Sequence, residues 1–211
     1  MGEFDLHSLI LSCDFRVDDV EQMWQWIKKH HANLSSIGAH HVVLYESIWE
    51  PGRVFVTIGI RYARSIRDIL RSPAIFEWFN VAGVKDIPPI FGGEVVEKID
   101  LAAPSPQGHV AGVIVGTVAT VDDVPTLMGK VHDGLGRFER SGIRKIWVYQ
   151  ALDDGREVMI LQEIEDEVSA RQWIDHPDSA AEWMTTAGFG AYPSLFVGKL
   201  AHIMTVDGQE S

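Results

Sequence analysis

Displaced by 104 positions, the chain matches itself. Val17-Asp18-Asp19-Val20 recurs as Val121-Asp122-Asp123-Val124, Gly38 falls on Gly142 and Tyr45 on Tyr149. Ser72-Pro73 meets His176-Pro177. After one residue of drift, Glu77-Trp78 meets Glu182-Trp183, Ala82-Gly83 meets Ala187-Gly188, and Phe91–Gly93 meets Phe196–Gly198. A single match could be chance, but an ordered series marks two copies of one supersecondary unit of about 100 residues. The expected boundaries are 1–102 for the first repeat and 109–206 for the second. The linker is 103–108, rich in Pro, Ser and Gly, and a tail covers 207–211.

Each repeat reads strand, helix, strand, strand, helix, strand. The aspartates of the shared tetrapeptide suit a helix N-cap, accepting from the free N–H groups of the first turn. Behind them, Val20, Met23, Trp24, Ile27, His31 and Leu34 fall on one helical face. Val124, Leu127, Met128, Val131, Leu135 and Phe138 repeat that spacing. Two strands around Glu50-Pro51-Gly52 follow in the first copy, and two around Asp153-Asp154-Gly155 in the second. The expected fold class is α+β: two ferredoxin-like βαββαβ repeats. In the second strand both faces are largely apolar, Val42 and Leu44 on one and Val43 and Tyr45 on the other. Both faces should therefore be covered. The expected arrangement is antiparallel sheets packed face to face, an internal pseudo-dimeric barrel related by an approximate two-fold axis.

Thirty acidic against eighteen basic residues give a net charge of −12, which repels phosphate backbones and argues against a nucleic-acid partner. One cysteine, Cys13, cannot form an intrachain bridge. The start lacks the charged-then-apolar order of a secretory signal, and no apolar run reaches the ~20 residues of a membrane span. The expectation is a cytoplasmic protein without a membrane partner. There is no glycine-rich dinucleotide loop, phosphate loop or nucleophile elbow.

The βαββαβ order, the repeat length and the segments Ser72-Pro73…Glu77-Trp78-Phe79 and His176-Pro177…Glu182-Trp183-Met184 resemble the dimeric α+β barrel superfamily. That group includes antibiotic-biosynthesis-monooxygenase-like proteins, stress-responsive barrels and heme-binding branches. The resemblance spans nearly the whole chain twice. Most members build the barrel from two chains, so a fusion would supply both halves in one. It implies a small-molecule-binding barrel, either a cofactor-independent monooxygenase or an isomerase acting on an aromatic or polyketide-like substrate. The alternatives are a non-catalytic ligand-binding or regulatory protein, and a heme protein. The superfamily hosts unrelated chemistries, so the reaction must be argued from residues.

On the last strand of each repeat, one apolar face is interrupted at a single equivalent position, by Glu97 in the first copy and His202 in the second. Glu46 and Gln150 interrupt the second strands in the same way. A polar group on a buried face needs a partner or costs roughly 1–3 kcal/mol. Glu97 and His202 are thus candidates for acid–base catalysis, or else middle residues of edge strands that reach solvent or a structural hydrogen bond. His176 is a third catalytic candidate. The heme-binding relatives place an iron-ligating histidine on the second helix, whereas a cap before Pro177 explains the same residue. Tyr45, Tyr149, Trp78, Trp183, Glu46 and Gln150 are the ligand-binding candidates, the aromatics suiting a flat apolar or aromatic molecule. His30-His31 and His40-His41 cannot chelate as adjacent residues. No metal and no cofactor are expected, and the pseudo-dimer could pair further into a homodimer.

Overall fold

The computed structural model describes residues 8–71, 79, 84, 88–101, 112–175 and 194–206, without the side chains of 64 and 65. The first half contains β1 (Leu9–Arg16), α1 (Val20–Lys29), α2 (His31–Ser36), β2 (Ala39–Ser47), β3 (Arg53–Ile60), α3 (Ala63–Leu70) and β4 (Ile90–Asp100). The second contains β5 (Val113–Thr120), α4 (Val124–Arg140), β6 (Ile143–Ala151), β7 (Glu157–Ile164), α5 (Glu167–Asp175) and β8 (Leu195–Thr205). This is an α+β fold with antiparallel strands, and its elements run in the same order twice.

The repeated tetrapeptide is the repeated cap. Asp19 Oδ1 accepts from the Gln22 N–H at 2.8 Å, and Asp123 Oδ1 accepts from the Thr126 N–H at 2.8 Å. The glycines shared by the repeats end the helices. Gly38 and Gly142 have φ of 80° and 79°, a left-handed conformation that turns each helix into the following strand.

The two first helices differ in a way the apolar spacing did not reveal. α4 runs unbroken for 17 residues, whereas the first copy breaks at His30 into α1 and the six-residue α2. The His30 ring covers the break: Nδ1 lies 2.8 Å from the Trp26 carbonyl oxygen, and the ring lies 4.2 Å from the Trp26 indole. The break carries His31 out of the apolar stripe, and it is exposed. In α4 the buried positions include Gly134, while Leu135 is only half-buried.

The chain forms two compact units, each discontinuous in sequence. One consists of residues 7–94 and 198–211, the other of 1–6 and 95–197. In the first unit β1 pairs with β3, β3 with β2, and β2 with residues 198–205 of β8; Ile90–Glu94 of β4 pair with β1. In the second, β7 pairs with both β5 and β6, and the Leu101 N–H bonds the Arg144 carbonyl at 2.7 Å. The end of each repeat's last strand therefore belongs to the compact unit that holds the other repeat's first three strands.

Within each unit the helices cover one sheet face. Trp24 and Ile27 of α1 are 4% and 1% exposed, and Leu127, Val131 and Phe138 of α4 are 1% exposed or less. In the second unit this seam holds a buried polar pair, the Trp173 indole N–H donating to Gln162 Oε1 at 3.2 Å. Strand residues facing away from the helices are buried as well, as the apolar alternation predicts: Tyr45 is 1% and Tyr149 0% exposed. No helix among the described residues is long and apolar enough to cross a membrane.

Candidate functional site

Position 202 lies where β8 crosses under α1. His202 pairs across the ladder with Leu44, and its ring stacks on the Trp24 indole with centroids 4.8 Å apart and planes 7° from parallel. Its Nε2 stands 3.1 Å from Glu21 Oε2. Glu21 and Trp24 are three residues apart on α1, so the helix presents carboxylate and indole on neighbouring turns of one face. The imidazole is sandwiched between strand and helix, about a quarter exposed, while the Glu21 side chain is 61% exposed. Among the described residues Nδ1 has no partner.

A register shift in the β2–β8 ladder creates this orientation. Leu44 faces His202 but Tyr45 faces Leu200, so Ala201 is an extra residue on β8. Regular alternation would put Leu200 and His202 on one face, as the sequence suggests. The bulge instead sends Leu200 to the face of Tyr45 and His202 to the helix side. Bulges leave no periodic trace in a single sequence.

The equivalent position in the other unit is Glu97, whose Oε2 lies 2.9 Å from Nε2 of His132 on α4. The two clusters are chemically inverted. One has imidazole on the strand and carboxylate on the helix; the other has carboxylate on the strand and imidazole on the helix. Met128 stands in α4 where α1 has Trp24, so the second pair has no indole stack. Its imidazole is the more exposed of the two, 51% against 27%, and its carboxylate the less, 36% against 61%. Glu97 and His202 are thus each partly exposed and paired rather than lone buried polar groups.

The other candidates scatter. Tyr45 lies on the sheet face opposite to that of Leu44 and His202, and Tyr149 on the face opposite to that of Val148, each turned away from the helices of its own unit. Tyr45 meets Phe55 at 6.3 Å. Glu46 is exposed, and the Gln150 side-chain amide donates to the Gly155 carbonyl at 2.7 Å, a turn-closing role. His176, Trp78 and Trp183 lie outside the described residues. The heme reading rests on His176; among the described residues the site consists of Glu21, Trp24 and His202. Among the described residues no three His, Cys, Asp or Glu side chains gather as a metal-ligand set. Cys13 is buried, and burial next to Asp14 pushes its thiol far above the ordinary range, which disfavours the reactive thiolate.

The sequence reading missed Glu21 and His132 as partners and counted Trp24 only as core. The available signal was a carboxylate placed three residues before a tryptophan on a helix facing an interrupted strand.

Fold and site together define a ferredoxin-like α+β protein with an acid–imidazole pair between first helix and last strand. No protein-family model matches the chain, and no curated protein matches it. Solved structures do. An anthrone oxidase-like protein superposes with a TM-score of 0.68 over 98% of this chain and 96% of its own, at 13% identity. A candidate monooxygenase from Fusobacterium nucleatum subsp. nucleatum gives 0.57 over 97% of each chain, at 11% identity. A heme-binding protein from Thermus thermophilus gives 0.53 over 93% of this chain and 92% of its own, at 15% identity. At these identities the likenesses show a shared fold and nothing further.

Proposed function

We propose that the chain binds a small apolar or aromatic molecule beside the α1–β8 seam and exchanges a proton with it through His202. The observation that carries this reading is the Glu21–His202–Trp24 stack. With its proton on Nε2, 3.1 Å from Glu21 Oε2, the imidazole keeps its lone pair on Nδ1. Abstraction of a proton there makes an imidazolium. The carboxylate stabilises it by charge, and the indole face does so by a cation–π contact worth about 0.5–2 kcal/mol. Cofactor-independent oxygenation and isomerisation both begin by removing a proton from an acidified carbon, so a positioned base serves either. The likeness in fold to an anthrone oxidase-like protein and a candidate monooxygenase supports an aromatic or polyketide-like substrate.

We also propose that the two repeats act as a fused pseudo-dimer, each closing the sheet face that the other's helices leave uncovered. Support comes from Tyr45, Thr57, Tyr149 and Leu161, which point away from the helices of their own units and are 1% exposed or less.

The test is a panel of phenolic and enolisable aromatic ketones, screened by thermal shift and then by oxygen uptake and product mass. Wild type should turn over at least one of them. Glu21→Gln should retain a fraction of the rate, and His202→Asn should lose about 10²-fold or more, with melting temperatures nearly unchanged. Unchanged turnover in His202→Asn would sink the assignment of the base. Stabilisation without product would leave a binding protein and no enzyme.

A further inference from the structure

Repeat-equivalent helices of this chain carry opposite charge. Residues 61–71, which contain α3, hold four arginines and one aspartate, a net +3 within a chain of net −12. The equivalent residues 165–175, which contain α5, hold four acids and one arginine, a net −3. Arg61, Arg67 and Arg71 are exposed, and among the described residues none of them makes an ion pair. Glu165, Asp166 and Asp175 are exposed, and the pairs Glu165–Arg144 at 2.9 Å and Glu167–Arg171 at 3.7 Å leave the segment acidic overall.

Each segment also displays an apolar side chain to solvent. Tyr62, immediately before α3, is 66% exposed, and Val168, in the first turn of α5, is 64% exposed. They are the two most exposed large hydrophobic side chains among the described residues. An exposed apolar centre with a rim of one charge sign has the composition of a docking surface. Here the chain carries both the basic version and its acidic complement.

We infer that these surfaces dock onto each other between molecules: the α3 segment of one copy receives the α5 segment of a second. The contact joins two different surfaces, so it is heterologous. Repetition gives a ring if the rotation closes and a filament if it does not. The occupant is a second copy rather than a foreign acidic protein, because the chain supplies matched charge, a matching exposed apolar residue and the same helical frame. Neither surface includes Glu21, Trp24 or His202, so the inference is independent of the proposed chemistry.

Sedimentation velocity of the full chain in about 0.01 M and about 0.5 M salt tests this, since screening lengths fall from about 30 Å to a few Å over that range. Wild type should associate at low salt and dissociate at high salt. Arg67→Glu/Arg71→Glu should weaken association more than about tenfold. Glu167→Arg/Asp175→Arg should do the same, and an equimolar mixture of the two variants should restore a complex. Arg67, Arg71 and Asp175 are exposed and the Glu167 side chain is 41% exposed, and circular dichroism melts of both variants check that they fold. A wild type that stays monomeric at low salt overturns the inference. So does association indifferent to the arginines, or a mixture that fails to restore it.

Discussion

At the scale of single residues, burial of charge makes the sharpest forecast. Glu163 is 6% exposed and faces Lys145 across the β6–β7 ladder. Burial raises its carboxyl above the ordinary 4.5; Lys145 and Arg144 pull it down, but not enough to cancel burial. The folded chain therefore holds this proton more tightly than the unfolded chain. The stabilisation is present below 4.5 and is lost as the pH rises through the folded value. Glu163→Gln removes the ionisation, so its melting temperature should exceed wild type at pH 7 and converge with it near pH 4. His40 and His41 tilt the other way. Burial lowers both, so the unfolded chain protonates first and stability falls as the pH drops through 6.5. Cys13 adds a simpler check: a thiol reagent should label it only once the protein unfolds, and labelling of the native protein would contradict its burial. The burial of Cys13 is legible in the sequence, where it follows the apolar residues Leu9, Ile10 and Leu11. The burial of Glu163 is not, because a glutamate between Gln162 and Ile164 looks like the solvated end of a strand.

At the scale of elements, two glycines with opposite environments make a paired test. Gly129 lies inside α4, and a Cβ there would meet nothing within 4 Å. Gly129→Ala should gain about 1 kcal/mol of helix propensity, or about 2–4 °C in melting temperature for a chain of this size. Gly52 has φ of 74°, and a Cβ there would stand 2.5 Å from the Val17 carbonyl oxygen. Its own carbonyl accepts from the Val17 N–H at 2.9 Å, so the strand cannot back away cheaply. Gly52→Ala should cost about 1–3 kcal/mol. A calorimetric scan of both variants decides; equal shifts would contradict the two local pictures. Helix starts were legible because Asp19 and Asp123 are local signals, read within four residues. The break at His30 was not, because the apolar spacing continues through His31 and Leu34 as though the helix did. The Ala201 bulge was hidden for a similar reason: alternation on paper passes smoothly through a residue that the ladder skips.

At the scale of the whole molecule, the 104-residue repeat carried the fold class, since two copies of one strand–helix order admit few architectures. It could not reveal that Gly198–Thr205 pairs with β2. Self-similarity reports which segments are alike and is silent about which partner each one chooses. The inverted acid–imidazole pairs were half legible: Glu97 and His202 stood out as interruptions, but their helical partners occupy inequivalent positions, Glu21 and His132, that no alignment of the repeats brings together.

The placement of that last strand has a consequence for the birth of the protein. A ribosome that has finished the first hundred residues has released β1, β2 and β3, yet β2 still lacks the neighbour that covers its outer edge. Residues 198–205 are made after every other strand described, and only then can the sheet begun at Leu9 be completed. The nascent chain must carry an open β2 edge until that segment is made, and closing it joins segments about 160 positions apart, the kind of distant pairing that slows folding and invites mispairing.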